Sequence, residues 1–241
     1  GDSIELFSDI LDYNGNTRKI VAKKDVVFNN NSTNLKTQIL YHDRDLKEIY
    51  FENGGVIKDS INTIESKEGK YFLESSKYSF KDLVKIYNYD FKIKSQKLDY
   101  LTESENAFFY GPTVINGKDY TIFCEKGYYN TKTKSGYFVK KSKIFYDKRK
   151  IEGDSLVFDD FKKYASGTKN VIITDTINKT IIKGDYGQVF KDLDSAMITK
   201  NSYAIKIFQR DSLFINADIL IKIGPENNRL VKGRYNVIFM K

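Results

Sequence analysis

The chain has one cysteine, Cys124, and one histidine, His42, in 241 residues. A single thiol excludes an internal disulfide and a thiolate metal centre. A single imidazole with no cysteine or second histidine beside it argues against a metal ligand or a catalytic base, and a surface or turn position is expected for His42. Proline occurs only twice and tryptophan is missing, so rigid turns are few. No apolar run approaches the ~18 residues of a membrane helix, and no apolar signal core is visible at the N-terminus. Helical spacing of apolar residues is sustained nowhere, which removes a helical bundle.

What the chain does hold is aromatic and periodic. It carries 18 Tyr and 17 Phe, a composition that suits strands. One short pattern returns eight times. Its small residue is Ser8, Thr37, Ser66, Ser95, Cys124, Gly153, Gly184 and Ala217, with steps of 29, 29, 29, 29, 29, 31 and 33 residues. Two places earlier stands Leu6, Leu35, Ile64, Ile93, Ile122, Ile151, Ile182 or Ile215. A polar residue follows the small one, and the third place after it is always Leu or Gly. A fixed period of this length marks a stacked-repeat architecture.

Each period holds two strand signals separated by Asn, Asp, Gly and Ser clusters. The fold class expected is all-β: an elongated β-jellyroll or β-solenoid-like stack of about eight ~29-residue strand-turn-strand repeats. A single repeat domain is expected over residues 1–241, as a fragment of a longer precursor. The Leu/Ile and small columns lie two apart and share a face, while the Leu/Gly column lies three further on. Burying both requires a bend or bulge between them, where a small residue fits. Stacked copies would bring identical columns about 4.8 Å apart. The inward columns expected to line an apolar interior are Leu6, Leu35, Ile64, Ile93, Ile122, Ile151, Ile182 and Ile215, with Ile86, Val114, Ile144 and Val171 from the first strands.

Carboxylates such as Asp90, Glu103, Glu105, Asp159 and Asp160 sit in polar positions where the sequence shows no convergent catalytic set, so no catalytic residues, metal or cofactor are expected. The net charge of +8 is spread over the turns as a solvated face and does not point to nucleic acid. From periodicity alone, a closed parallel β-helix serving as an adhesin stalk or a polysaccharide-binding module stands as the alternative.

The motifs Gly153-Asp154-Ser155-Leu156-Val157-Phe158 and Asp211-Ser212-Leu213-Phe214-Ile215-Asn216-Ala217-Asp218-Ile219-Leu220 resemble those of the OstA-like, or LptA, family of lipopolysaccharide-transport proteins. Leu11-Asp12-Tyr13-Asn14-Gly15-Asn16-Thr17, Val26-Val27-Phe28 and Gly224-Pro225-Glu226-Asn227-Asn228-Arg229 support the likeness, which is strongest to the Bacteroidetes branch. The resemblance implies a curved β-jellyroll and a periplasmic location, with the signal peptide outside this fragment. It also implies a non-enzymatic role in outer-membrane assembly, with lipopolysaccharide as partner and the lipid A acyl chains in an apolar groove. Other OstA-like or Lpt components, or further copies of the chain, would join by end-to-end β-strand pairing and head-to-tail self-association.

Overall fold

Polar turns reverse the chain between successive passes, and several do so by side-chain capping. Asn14, Asp43, Asn130 and Asp159 accept backbone N–H bonds from residues two or three further on at one end; Asp59, Asn88 and Asp175 do the same at the other. Such Asx turns let a strand fold straight back on its predecessor. The computed structural model describes residues 4–30, 33–208, 211–223 and 230–240; the sequence motif at 224–229 lies outside the described residues. Among these the fold is all-β, with antiparallel strands and no helix, as the repeat predicts.

The chain divides into two units, Gly1–Lys118 and Asp119–Lys241. The first holds β1 (Ile4–Phe7), β2 (Ile10–Asn14), β3 (Lys19–Asn30), β4 (Thr33–Asp43), β5 (Glu48–Phe51), β6 (Gly55–Lys58), β7 (Thr63–Ser66), β8 (Glu68–Phe72), β9 (Lys77–Tyr87), β10 (Lys92–Leu101) and β11 (Asn106–Asn116). The second holds β12 (Tyr120–Asn130), β13 (Ser135–Val139), β14 (Lys143–Tyr146), β15 (Arg149–Glu152), β16 (Ser155–Asp159), β17 (Tyr164–Asp175), β18 (Thr180–Phe190), β19 (Ser195–Ile207), β20 (Ser212–Ile223), β21 (Leu230–Arg234) and β22 (Ile238–Met240).

Every repeat is bent in the middle, so its two halves lie in two facing half-sheets. The bend is built from both strands of a hairpin. On the return strand the register slips at the small residue, as between Ser95 and Leu98 on β10 and between Lys183 and Tyr186 on β18. On the first strand two successive residues take the left-handed conformation: Lys24 and Asp25, Asp82 and Leu83, Lys140 and Lys141, Lys169 and Asn170, Lys200 and Asn201. Gly54 takes it at the equivalent place in another repeat, with φ of 93°. This geometry is costly for residues with a Cβ, and the polar residue after each small one offsets it. The backbone N–H of Asp9, Lys67, Glu125, Asp154 and Asp218 donates to a kink carbonyl. Side chains add to the clamp: Asp154, Asp185 and Asp218 accept from Asn170, Asn201 and Asn236. The polar column in the sequence is therefore a corner brace.

Three expectations need correction. Because every pairing is antiparallel, between one pass of the chain and the next, a parallel β-helix is excluded, and identical columns are not adjacent. Ile93 pairs with Ile86 and Ile115, not with Ile64 or Ile122. Equivalent residues therefore sit two strands apart, about 9–10 Å, with a first-strand residue between them. Val114 is the second. It pairs with Lys94 on the outer face, half-buried, while its neighbour Ile115 takes the inward place. A strand alternates faces at every residue, so a one-residue error in phase reverses the side. His42 sits within β4 rather than on a turn, half-buried opposite Ile20 and Ile49. Burial and the nearby Arg44 lower its pKa, against an opposing pull from Asp43.

Candidate functional site

Apolar residues at the inward positions of successive strands form one uninterrupted ladder in each unit. In the first unit it runs Leu6, Phe28, Leu35, Ile57, Ile64, Ile86, Ile93, Ile115. In the second it runs Ile122, Ile144, Ile151, Ile173, Ile182, Ala204, Ile215. The opposite half-sheet supplies a second ladder, with Phe51, Gly69, Phe80, Leu98 and Phe109 in the first unit and Phe138, Leu156, Gly167, Gly187, Ile198 and Leu220 in the second. Large and small residues alternate so that the two faces interlock. A Cβ on Gly69 would stand 2.4 Å from the Phe51 ring, and one on Gly187 would stand 2.8 Å from Val171 of the other half-sheet.

Within each unit the ladder is sealed over most of its length and less covered toward one end. Ile86, Ile93, Ile122, Ile144 and Ile151 are 0% exposed, and Leu35, Ile64, Val171 and Ile182 are buried. Leu6 and Ile215 are half-buried. Beside Ile215 the filling gives out: Ala204 replaces an isoleucine, and a cavity of about 220 Å³ opens among Ile182, Ala204, Leu213, Ile215 and Leu220. Lys206 and Lys222 stand at its wall. Cys124 packs in the small column, where burial alone pushes its thiol up to about 12.

The seam where the free edges of the two half-sheets meet is closed by polar bridges. In the first unit Asn30 Nδ2 donates to Tyr71 Oη at 3.0 Å, and Asn62 Nδ2 to Tyr100 Oη at 3.1 Å. In the second unit Tyr120 and Tyr129 share a hydroxyl bond of 2.6 Å, and Lys191 Nζ reaches Asp119 at 2.8 Å. Asp194 accepts from Lys148 at 2.9 Å and from Arg149, whose side chain is only 2% exposed. Further along, Asp175 accepts from buried Lys222 and from Asn178. Burial works against the charge on Asp194 and Asp175, but it is outweighed. The bonds from Lys148 and Arg149 lower the pKa of Asp194, and those from Lys222 and Asn178 bring Asp175 from 3.8 to about 2.

The inward-column reading reached the ladders but not this seam. Its signal was present two places before each ladder residue: Ile4, Thr33, Asn62, Phe91, Tyr120, Arg149, Thr180, Leu213. Arg149 is the one charge in that column, and it is buried.

Three comparisons with known proteins bear on this arrangement. Residues 1–96 match the OstA-like protein family. No curated protein matches the chain. Among solved structures, the chain is similar to LptH, the LptA homologous periplasmic component of the conserved lipopolysaccharide transport device from Pseudomonas aeruginosa. The likeness has a TM-score of 0.39 and 16% identity, and it covers 42% of this chain and 76% of that one.

Proposed function

With the OstA-like match over residues 1–96 as premise, we propose that the chain is a periplasmic carrier in lipopolysaccharide transport, shielding lipid A acyl chains by its apolar interior. The family match supports a lipopolysaccharide-transport-type protein in general, and that family is generally non-enzymatic. The observation that carries the finer reading is the interior itself. Two apolar ladders face each other without a break in each unit, and in the second they end in an unfilled cavity lined by Ile182, Ala204, Leu213, Ile215 and Leu220. Each acyl methylene taken out of water contributes roughly 0.8 kcal/mol, so even a short length of chain in such a cavity gives useful affinity. The sealed residues Ile93, Ile122, Ile144 and Ile151 reach lipid only when the half-sheets part. Leu213 and Ile215 reach it without that motion.

The test is photo-crosslinking with lipopolysaccharide. A photoreactive residue at Leu213 or Ile215 is expected to capture lipid strongly, at Ile122 or Ile144 more weakly, and at outward Lys94 not at all. Equal capture from Lys94 and Ile215, or none from any inward position while binding persists, sinks the reading.

End-to-end pairing with other OstA-like components or with further copies belongs to the same proposal. Among the described residues β1 and β2 pair only with β3, and Phe7, Leu11 and Tyr13 are exposed there. An edge of this kind invites strand addition. Sedimentation over a wide concentration range should show association. A constant monomer mass at the highest concentration removes this part alone.

A further inference from the structure

Arg149 is out of place by the logic of its own repeat. Its column holds Ile4, Thr33, Asn62, Phe91, Tyr120, Thr180 and Leu213 elsewhere, all uncharged. It opens β15, two residues before sealed Ile151, so its position puts a guanidinium at the lip of the apolar interior. Burying an arginine is costly, and apolar residues of similar volume commonly serve stability as well or better. Its bonds all go to one residue, the carboxylate and carbonyl of Asp194. Its Nε is buried with no hydrogen-bond partner, and so is the hydroxyl of Tyr146 three residues earlier on the same hairpin. Buried donors are rarely left unmade, and here two stand in one short hairpin. Lys148 shares Asp194 with Arg149, and Lys191 lies 5.2 Å over the Tyr146 ring. Directly inside are Ile144, Ile151 and Phe158, each fully buried, with Tyr146 edge-on to Phe158.

We infer that this part of the seam is a head-group site for an anionic amphiphile, with Arg149 and Lys148 as the cations that receive the anion and Asp194 as the internal anion that occupies them until it arrives. The inference rests on the carrier reading above and adds the place and chemistry of head-group recognition. A phosphate or phosphate ester suits the donors, because it can accept from a guanidinium through two oxygens while taking further bonds from an ammonium and a phenol. Binding exchanges one anion for another. The guanidinium never becomes a bare buried charge, and Asp194 is released to solvent on its turn. Asp194 ties the β14–β15 hairpin to the opposite edge, so the exchange also unfastens the seam where the chain of the amphiphile must pass. Recognition and opening are then the same event.

Calorimetric titration of the chain with three probes tests this. Dodecyl phosphate has the anion and the chain, dodecyl maltoside has the chain with a neutral head, and inorganic phosphate has the anion alone. Dodecyl phosphate is expected to bind about tenfold more tightly than dodecyl maltoside, as one charge-assisted contact implies. Arg149→Met should erase that preference, so that the two amphiphiles bind equally. Asp194→Asn should tighten dodecyl phosphate about threefold or more by removing the competitor. If Arg149→Met fails to fold, as judged by circular dichroism, the Asp194→Asn result alone decides. A preference that survives Arg149→Met, or an Asp194→Asn variant no tighter than the parent, overturns the inference. Inorganic phosphate binding as tightly as dodecyl phosphate would make this a free-anion site and overturn the head-group assignment. Equal binding of the two amphiphiles removes this inference only, whereas binding of neither removes the carrier reading and this one with it.

Discussion

In the first unit the seam is held by neutral bonds, Asn30 to Tyr71 and Asn62 to Tyr100; in the second it passes from a tyrosine pair to ion pairs, Lys191 with Asp119, Lys148 and Arg149 with Asp194, and Lys222 with Asp175. The two regions share ladders, kinks and capped turns, so the difference has a local origin. One column explains it. The last inward residue of successive return strands is Tyr71, Tyr100, Tyr129, Phe158, Val189 and Lys222. The first three offer a hydroxyl to the opposite edge. Phe158 and Val189 cannot, and from there on the bridging is done by charges, borne on strands at Arg149 and Lys222 and on turns at Lys148 and Asp194. A neutral bridge is indifferent to salt and acid. A charged one is stronger when intact, costlier when broken, and open to exchange with an outside ion.

If the contrast lies in the seam alone, the interiors must be equivalent. Ile93→Asp in the first unit and Ile151→Asp in the second should each destabilise by about 4–5 kcal/mol, since each buries an unpaired carboxylate. Urea unfolding followed by amide resonances of each unit separately reads both numbers. A cost for Ile151→Asp well below that for Ile93→Asp would mean that the second interior is looser, and the comparison would have to be redrawn.

The seam itself is compared by removing one partner on each side. Asp175→Ala leaves buried Lys222 without its carboxylate and should cost about 3–4 kcal/mol. Asn62→Ala removes the donor to the Tyr100 hydroxyl together with the side-chain bonds to Asn88 and Asp59, leaves no buried ion without its counter-charge, and should cost about 1–2 kcal/mol. Equal losses in the same unfolding experiment would show that charge adds nothing to the clasp.

The repeat period, the all-β class and the buried ladder residues were legible because each rests on a property of single columns. An isoleucine that recurs every 29 residues has few explanations other than a packed face, and Ile64, Ile93, Ile122 and Ile151 are sealed as expected. The need for a bulge was legible too, from the odd spacing between Ser95 and Leu98. Strand direction was not, because a period fixes where a motif returns but not whether the chain runs back or onward between copies. Val114 was misassigned for a related reason: phase within a short β-branched run such as Thr113-Val114-Ile115 cannot be set without its cross-strand partner. The seam was least legible of all. Asn62 and Tyr100 are 38 residues apart and Arg149 and Asp194 are 45 apart, so neither pair belongs to a single motif. Only the bend that folds the half-sheets together brings them into contact.

Acid sharpens the contrast with the smallest effect. Asp175 has its folded pKa lowered from 3.8 to about 2 because the bonds from Lys222 and Asn178 outweigh burial, and Asp194 is lowered for the same kind of reason. A depressed carboxylate pKa contributes stability that is complete above the unfolded value and is lost as pH falls through the folded one. The Asp175 clasp to Lys222 should therefore hold at pH 5, begin to weaken near pH 4 and be largely lost near pH 2, at a cost of up to about 2 kcal/mol. The first seam's own bridges, Asn30 to Tyr71 and Asn62 to Tyr100, are amide-to-phenol bonds with no carboxylate in them, although Asn62 is also bonded to Asp59 of its own turn. Carboxylates elsewhere in that unit do respond: Glu65 is held low by Tyr87 and Lys85, and Asp43 by the Leu46 N–H and Lys19. Their effect falls on the outer face and a turn, not on the clasp. Ring resonances of labelled tyrosines separate the two cases. Tyr146, the cross-strand partner of Arg149, should change environment as pH falls below the ordinary carboxylate range and Asp194 lets go of Arg149, while Tyr71 and Tyr100 stay put. Movement of all three together, or of none down to pH 2, would show that the two seams are held by the same kind of contact after all.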